Sequence, residues 1–262
     1  MKVTLHGATG RMGQALVRLI HQAPELELVG AACAPNDPAL GQDVGVIAGV
    51  GPVGITASAD VGSALLGADV VIDFSTVKAL PALFAQAMRQ KVPVVCCTTG
   101  LDADQQAILQ RAAASIAVLW APNTSLGVQV LAELVEQAIR RLGVGFDAEI
   151  VEIHHRKKID SPSGTAKRLG QAIKAARPES RELYGRVGIV GARTDDEVGV
   201  FGVRGGDVVG DHTVYLLGLG ERIELTHRST SREMLANGAL RAAHFLAKQP
   251  PGKLYAIADV LG

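Results

Sequence analysis

The sequence is poor in aromatic residues and in cysteine, and it carries no net charge. Aromatic side chains make up 3% of the 262 residues, so the core must be built mainly from aliphatic side chains. The 26 basic and 26 acidic residues balance, which removes any general electrostatic reason to bind nucleic acid or an anionic membrane. Any attraction for an acidic ligand must therefore be local.

Cysteine usage and hydropathy point to a cellular compartment. Cys33, Cys96 and Cys97 are spaced for neither a disulfide framework nor a CxxC metal site, and we interpret them as buried thiols of a reduced protein. No apolar run approaches the ~20 residues that cross a bilayer. Strand-like residues begin at Lys2 and Gly7 soon interrupts the run, which is not the pattern of a signal peptide. We expect a cytoplasmic protein with no membrane or nucleic-acid partner.

The hydrophobic pattern divides the chain into two parts. Up to Asn123, short apolar strand candidates alternate with helical patterns, which is typical of a parallel sheet covered by helices on both faces. The predicted strands are Val3–Leu5, Leu26–Cys33, Asp69–Phe74, Val92–Cys97 and Ile116–Trp120. The predicted helices follow the first strand and lie at Lys78–Arg89 and Asp102–Ala114. This part is predicted to be a Rossmann-type domain.

Beyond Asn123 strand candidates predominate, after a long helix predicted over Ser125–Leu142. The strand candidates are Ala148–His154, Val187–Val190, Val198–Val203, His212–Leu217 and Ile223–His227, with one helix starting near Ser163. Such a run indicates an α+β domain with a mixed or antiparallel sheet. Helical periodicity resumes at Met234–Leu246, and we expect this helix to return to the first domain. The predicted domains are therefore residues 1–125 with 234–262, and residues 126–233.

A glycine turn follows the first strand and opens an amphipathic helix. Glycine permits a tight turn, lets backbone amides approach a pyrophosphate, and leads into a helix N-terminus with a partial positive charge. The spacing is GxxGxxG, looser than GxGxxG, and the alternative is a plain strand-to-helix turn. The predicted cofactor-binding residues of this turn are Gly7, Ala8, Thr9, Gly10, Arg11 and Met12.

Two further loops are expected at the carboxyl edge of the parallel sheet. Small polar residues there can bind the ribose and carboxamide of a nicotinamide; the alternative is ordinary turns, with Ser125 as a helix N-cap. The residues concerned are Cys97, Thr98, Thr99, Ala121, Pro122, Asn123 and Thr124. The acid that usually marks an NAD preference is missing at the second strand tip, where Ala34 and Pro35 stand. Asn36 and Asp37 are the candidates to reach the ribose, and the choice between NADH and NADPH stays open.

The segment 152–166 combines two imidazoles, several cations and a helix start. His154 and His155 point to opposite faces if the strand continues through them, which disfavours a shared metal ion, and we predict no metal site. Ser163 is a good N-cap, and the amides of Gly164 and Thr165 are then available to a carboxylate. Lys158 can supply a proton or a charge, and an imidazole titrates in the useful range.

The chain resembles the 4-hydroxy-tetrahydrodipicolinate reductase (dihydrodipicolinate reductase) family of lysine and diaminopimelate biosynthesis over nearly its full length. The resemblance rests on these segments: residues 7–13 (GATGRMG), Thr98-Thr99-Gly100, Pro122-Asn123, Gly127-Val128, residues 154–166 (HHRKKIDSPSGTA), residues 204–212 (RGGDVVGDH), residues 221–227 (ERIELTH), Ser231-Arg232 and Ala236-Asn237-Gly238-Ala239. The segment 154–166 is the most specific of them.

The resemblance implies a function for each domain. The first would bind NADH or NADPH; the second would bind a cyclic dicarboxylate substrate and assemble a homotetramer through its sheet. His154 matches a proton donor or acceptor and Lys158 a proton donor, while His155, Ser163, Gly164 and Thr165 match substrate-binding positions. Hydride would pass to ring C4 after loss of the hydroxyl, and protonation of the adjacent carbon would complete the reduction.

The sequence departs from the family at the cofactor positions. The family often has an acid where Ala34 stands and sometimes an arginine at Pro35; Cys97 replaces a common glycine and Thr124 a common aromatic. Two alternatives remain open. A relative of aspartate or homoserine dehydrogenases would account for the Rossmann half alone, and a dinucleotide-binding regulator without catalysis would account for the altered cofactor positions.

Overall fold

The computed structural model describes all 262 residues, which form two compact units. The first unit comprises Met1–Thr124 and Glu233–Gly262, and the second comprises Ser125–Arg232. The expected boundaries differ from these by one residue at each point where the chain passes between the units.

The first unit contains a sheet of six parallel strands in the order β11-β5-β4-β3-β1-β2. Its strands are β1 (Lys2–His6), β2 (Glu27–Ala32), β3 (Val70–Asp73), β4 (Val94–Cys96), β5 (Val118–Trp120) and β11 (Leu254–Tyr255). The first five lie where the sequence predicted them. The two-residue β11 is too short to give a periodic signal. The strand order reverses beside β1, the point where such sheets bind ligands at the carboxyl ends of their strands.

Helices cover both faces of this sheet. They are α1 (Arg11–Gln22), α2 (Val44–Ala48), α3 (Val61–Ala64), α4 (Leu80–Gln90), α5 (Ala103–Ala113) and α8 (Glu233–Leu246), with short 3-10 helices at Val77–Ala79 and Ile257–Val260. The apolar face of α1 buries Leu16, Val17 and Ile20. Helix α8 packs against α1, β3 and β4, so the end of the chain completes the first unit as expected.

The second unit contains a mixed sheet of five strands in the order β10-β9-β6-β8-β7. Its elements are α6 (Leu126–Leu142), a 3-10 helix (Gly143–Gly145), β6 (Asp147–His154), α7 (Gly164–Ala176), β7 (Arg181–Leu183), β8 (Glu197–Arg204), β9 (Gly210–Leu217) and β10 (Arg222–Ser229). Strands β6, β7 and β8 run parallel, whereas β9 is antiparallel to β6 and β10. The α/β prediction with a second, mixed-sheet domain is confirmed. None of the protein's helices has the length and apolar composition to span a membrane.

Strand β6 positions two buried polar side chains of the second unit, Glu152 and His154. Its side chains alternate, and Ala148 and Ile150 pack with α6 and α7 in an aliphatic core. Glu152 and His154 continue the same buried row toward the end of the strand. A carboxylate and an imidazole thereby lie on a face that is otherwise apolar.

The predicted strand Val187–Val190 is wrong. That segment has no regular structure, and the side chains of Val187 and Ile189 are almost fully exposed. Glycines at 185, 188 and 191 all adopt positive φ, which breaks an extended strand at every third residue. The strand of this region is β7, which lies earlier in the chain.

Candidate active site

The glycine turn after β1 has the close packing that a dinucleotide fold requires. A Cβ at Gly7, whose φ is +81°, would lie 2.5 Å from the carbonyl oxygen of Phe74. A Cβ at Gly13 would lie 2.3 Å from the carbonyl oxygen of Ala8. Gly10 is the N-cap of α1 and supplies no side-chain cap. The turn and the helix start therefore fit a pyrophosphate group bound by backbone N–H groups.

A buried carboxylate that sequence reasoning missed lies at the tip of β3. Asp73 accepts hydrogen bonds from the hydroxyls of Ser75 (2.6 Å) and Thr98 (2.7 Å), and its Oδ1 lies 2.7 Å from Nδ1 of His6. The indole of Trp120 donates to the carbonyl of Thr98 (3.2 Å). The tips of four strands, β1, β3, β4 and β5, are thus tied together at the ligand-binding edge. The available signal was an acid that ends an apolar strand.

The predicted cofactor loops differ in which side chains they expose. Thr99 is exposed, whereas Cys97 is buried, and burial together with the Asp73 carboxylate raises the pKa of its thiol well above the usual value. Ala121 and Thr124 are also buried. The Thr124 hydroxyl donates to the carbonyl of Leu235 in α8 (2.7 Å), so it serves the packing of the first unit.

The structure brings Asp37 to the glycine turn. The Thr9 hydroxyl donates to Oδ2 of Asp37 (2.6 Å), and the amide of Ala39 donates to Oδ1 (2.9 Å). These hydrogen bonds lower the pKa of Asp37, and the one from Thr9 has the largest effect. The carboxyl is therefore ionised at neutral pH. Ala34 and Pro35, at the strand tip, are exposed and supply no charge.

In the second unit, Glu152 and His154 form a hydrogen-bonded pair beneath the start of α7. A Glu152 oxygen contacts Nδ1 of His154, and the other oxygen accepts from the amide of Ser163 (3.1 Å) and from Arg204 Nη2 (2.8 Å). Glu152 is completely buried, and His154 is 7% exposed. Sequence reasoning gave no role to Glu152 or Arg204, although Glu152 lies two residues before His154 on a strand, where side chains share a face.

The N-cap of α7 is joined to a second buried imidazole. Ser163 Oγ accepts from the amide of Ala166 (3.1 Å) and lies 3.0 Å from Nε2 of His212. The rings of His212 and His154 contact edge to face, with centroids 5.0 Å apart. The predicted N-cap is confirmed. His212 was known only as part of a family-like segment, and the sheet pairing of β6 with β9 brings it here.

The loop after β6 carries the remaining charges. Lys158 Nζ donates to both carboxylate oxygens of Asp160, at 2.8 and 2.9 Å. His155 Nε2 lies 3.2 Å from Arg232 Nη2, which adds a cation that sequence reasoning did not assign to the site. Arg156 and Lys157 are exposed. The histidines therefore have separate partners: Glu152 for His154, and Arg232 for His155.

Burial keeps the imidazoles of His154 and His212 neutral. Burial lowers the pKa of His154, and the Glu152 carboxylate offsets this only in part. Burial and the neighbouring His154 lower the pKa of His212 to about 3. Burial alone would raise the pKa of Glu152, but hydrogen bonds from Arg204 and Ser163 outweigh it and lower the pKa. At neutral pH the pair is a carboxylate beside a neutral imidazole.

The ligand atoms of Glu152, His154 and His212 lie within 4.8 Å of one another, a spacing that a metal ion could bridge. Their hydrogen bonds point to another use. Both oxygens of Glu152 already accept from protein donors, and Nε2 of His212 contacts Ser163. A hydrogen-bonded carboxylate–imidazole group of this kind can also exchange a proton.

A Rossmann-type unit with a dinucleotide turn, joined to a unit with a buried carboxylate–imidazole pair, defines a nicotinamide-dependent oxidoreductase. Family models agree with this class. Residues 1–124 match the N-terminal model, and residues 127–261 the C-terminal model, of dihydrodipicolinate reductase. The chain belongs to the dihydrodipicolinate reductase family, and its first unit is the NADH- or NADPH-binding part. The resemblance noted in the sequence is thereby confirmed.

Individual relatives match over whole chains. The chain is 47% identical to the 4-hydroxy-tetrahydrodipicolinate reductase of Anaeromyxobacter dehalogenans strain 2CP-1, over 100% of this chain and 97% of the relative. It is 45% identical to the protein of that name from Syntrophotalea carbinolica, over 100% and 99%. Among solved structures, dipicolinate-bound dihydrodipicolinate reductase from Paenisporosarcina sp. TG-14 has the same fold, with a TM-score of 0.78, 22% identity and coverage of 98% and 97%.

Proposed function

We propose that the protein reduces 4-hydroxy-tetrahydrodipicolinate to tetrahydrodipicolinate with NADH or NADPH, in lysine and diaminopimelate biosynthesis. The observation that carries the proposal is a neutral His154 and a lysine, Lys158, four residues apart at the end of β6. Relatives at 45–47% identity carry the name of this activity. The dipicolinate bound to the Paenisporosarcina enzyme supports a cyclic dicarboxylate as the ligand class.

The two carboxylates of such a substrate need separate partners. The start of α7, with Gly164 exposed and Ser163 as its cap, offers backbone N–H groups and the positive end of the helix dipole. Arg232, held beside His155, offers a second cationic region. We assign substrate binding to Ser163, Gly164, Thr165 and His155, and add Arg232.

We assign the two proton transfers of the reaction to two residues, Lys158 and His154. When bound, the reduced nicotinamide supplies the hydride to ring C4. Lys158, an ammonium group, can donate the proton that the adjacent ring carbon takes up. His154 is neutral and Glu152 occupies its Nδ1 side, so its Nε2 can accept the C–H proton of the ring carbon beside the hydroxyl-bearing carbon and return it to the departing hydroxyl, which leaves as water. Substrate, reduced cofactor and one proton thus give tetrahydrodipicolinate, oxidised cofactor and water.

The cofactor residues are assigned to the turn Gly7–Met12 and to the loops 97–99 and 121–124. Within this set, the buried Thr98 and Thr124 hydroxyls are engaged in internal hydrogen bonds, so their side chains shape the loops. Asp37 supports a preference for NADH, because a carboxylate at the glycine turn accepts from a ribose hydroxyl and repels a 2′-phosphate. Asp37→Asn is expected to narrow the difference between the NADH and NADPH dissociation constants in fluorescence titrations; an unchanged ratio would remove Asp37 from cofactor selection.

We also propose that the protein is a homotetramer located in the cytoplasm. Several apolar side chains of the second unit are exposed, including Tyr184, Val187 and Ile189. Apolar side chains clustered in one exposed segment are typical of an assembly surface.

The deciding experiment couples the purified protein to a synthase that generates the unstable substrate, and follows the oxidation of NADH and NADPH separately. Turnover with at least one cofactor is expected. If neither cofactor is oxidised faster than in the absence of the protein, the proposed reductase activity is refuted. Cofactor binding without turnover would favour the alternative that the protein is a dinucleotide-binding regulator without catalysis.

A further inference from the structure

Glu152 occupies the centre of the hydrogen-bond network in the second unit and has no exposed surface. Three donors converge on its two oxygens: the amide of Ser163, the guanidinium of Arg204, and Nδ1 of His154. Arg204 also donates to the carbonyl of Asp160 (2.7 Å), which fixes the guanidinium in place. The charge of the buried carboxylate is thereby compensated, and all its contacts are directional.

These contacts determine which nitrogen of His154 carries the hydrogen. An ionised carboxylate only accepts, so Nδ1 of His154 must be the donor and Nε2 carries the lone pair. Nε2 lies beside Gly210 at the start of β9, where an added Cβ would stand 2.9 Å from it. The lone pair therefore lies beside a residue without a side chain.

We propose that Glu152 is a positioning residue of the reductase: it holds His154 in the Nδ1–H tautomer, with Nε2 free to accept a proton, and anchors the first residue before α7. The inference depends on the proposed function for the role of His154. Glu152 then positions His154, the proposed proton acceptor, through one oxygen. Through the other oxygen it holds Ser163 at the start of α7, where a substrate carboxylate is proposed to bind.

The alternative is that Glu152 only stabilises the fold as a partner of Arg204. The variant Glu152→Gln distinguishes the positioning role from a purely structural one. Glutamine has a single acceptor oxygen, and two donors, Ser163 and Arg204, converge on the position of Oε1. With the oxygen placed there, the amide NH2 faces Nδ1 of His154, which must then accept, and the hydrogen moves to Nε2. A wrong tautomer disables an imidazole base even when its position is unchanged.

The experiment combines two measurements on the full-length protein. Nitrogen-15 spectra of histidine-labelled protein report the tautomer of His154, assigned with a His154→Gln variant, and steady-state kinetics report kcat and the KM for the cofactor. For Glu152→Gln we expect an Nε2–H tautomer, a kcat lower by on the order of 100-fold or more, and an unchanged cofactor KM. Glu152→Asp, which keeps two acceptor oxygens, should retain the Nδ1–H tautomer and part of the rate. Glu149→Gln, on the other face of β6 and paired with Arg186, is the control and should change neither.

The outcomes are distinct. An Nε2–H tautomer in the wild-type protein, or a Glu152→Gln protein with wild-type spectrum and kcat, would overturn the inference. If Glu152→Gln does not fold, the wild-type and Glu152→Asp spectra still decide the tautomer. Absence of turnover by the wild-type protein would instead refute the proposed function, because the tautomer is measured without turnover.

Discussion

His154 and Lys158 are four residues apart but have opposite proton properties. His154 is buried and neutral, with Glu152 on its Nδ1 side, whereas Lys158 is paired with an exposed carboxylate, Asp160. A neutral imidazole with a free Nε2 accepts a proton, and an ammonium group donates one. The proposed division of roles therefore rests on the surroundings of each residue.

Removal of the ammonium group should affect the chemical step and leave cofactor binding intact. Lys158→Ala is expected to lower kcat by roughly 100- to 1000-fold, the usual contribution of a general acid, with an unchanged dissociation constant for the cofactor. Steady-state kinetics and fluorescence titration measure the two quantities. Lys157→Ala, one residue away and exposed, is the matched control. A kcat within twofold of wild type in Lys158→Ala would exclude Lys158 from the proton step.

His212 should make the stability of the protein depend on pH. Unfolded, it binds a proton near its ordinary pKa of 6.5; folded, it stays neutral down to about 3. The unfolded state therefore binds more protons between these values, and the free energy of unfolding falls as the pH falls. Between pH 7 and pH 5 the loss due to His212 is about 2 kcal/mol. Urea denaturation of wild type and His212→Gln at both pH values tests this; an equal loss in both proteins would contradict it.

At the scale of the element, helix α8 shows how the first unit recruits the end of the chain. An added Cβ at Gly238 would lie 1.8 Å from the carbonyl oxygen of Thr124, a backbone atom that cannot rotate away. The Thr124 hydroxyl donates to Leu235 on the same helix. Helix and loop thus approach at backbone distance, which needs a residue without a side chain.

Gly238→Ala should therefore destabilise the first unit, against the usual trend. In a helix with free space, alanine in place of glycine stabilises by about 1 kcal/mol. Here we expect a loss of about 3 kcal/mol from overpacking. Thermal or urea unfolding measures the change. Gly145→Ala, where an added methyl meets nothing within 4 Å, is the control, and a Gly238→Ala protein more stable than wild type would contradict the packing argument.

At the scale of the whole molecule, the exposed segment after β7 bears on assembly. Val187 and Ile189 are 90% and 105% exposed in the single chain. A homotetramer that covers them should be disrupted by charge at both positions, because a buried unpaired carboxylate is costly. Wild-type protein is expected to give a tetramer mass in light scattering, and Val187→Asp/Ile189→Asp a smaller species. A double variant that stays tetrameric would place the interface elsewhere; Lys157→Ala is the control.

The sequence by itself determined the elements whose signals are local. Short apolar runs and helical patterns of period 3.6 predicted most strands and helices but not the short α2, α3, β7 and β11, and the Ser163 cap and the glycine turn predicted two helix starts. The error at Val187–Val190 arose because apolar residues outweighed glycines whose positive φ is visible only in the structure. The family-specific segment 154–166 supplied the histidine and lysine proposed for the site.

Only the tertiary structure decided which residues surround them. His212 reaches Ser163 through the pairing of β9 with β6, and Arg204 reaches Glu152 through β8, over separations of 49 and 52 residues. Asp37 comes to Thr9 through a loop, and Asp73 meets His6 because their strands are neighbours. Hydrogen bonds and burial set the charge and tautomer of a side chain, and both depend on contacts between distant segments, so the sequence supplied the candidate proton-transfer residues while the fold determined the surroundings that keep His154 neutral.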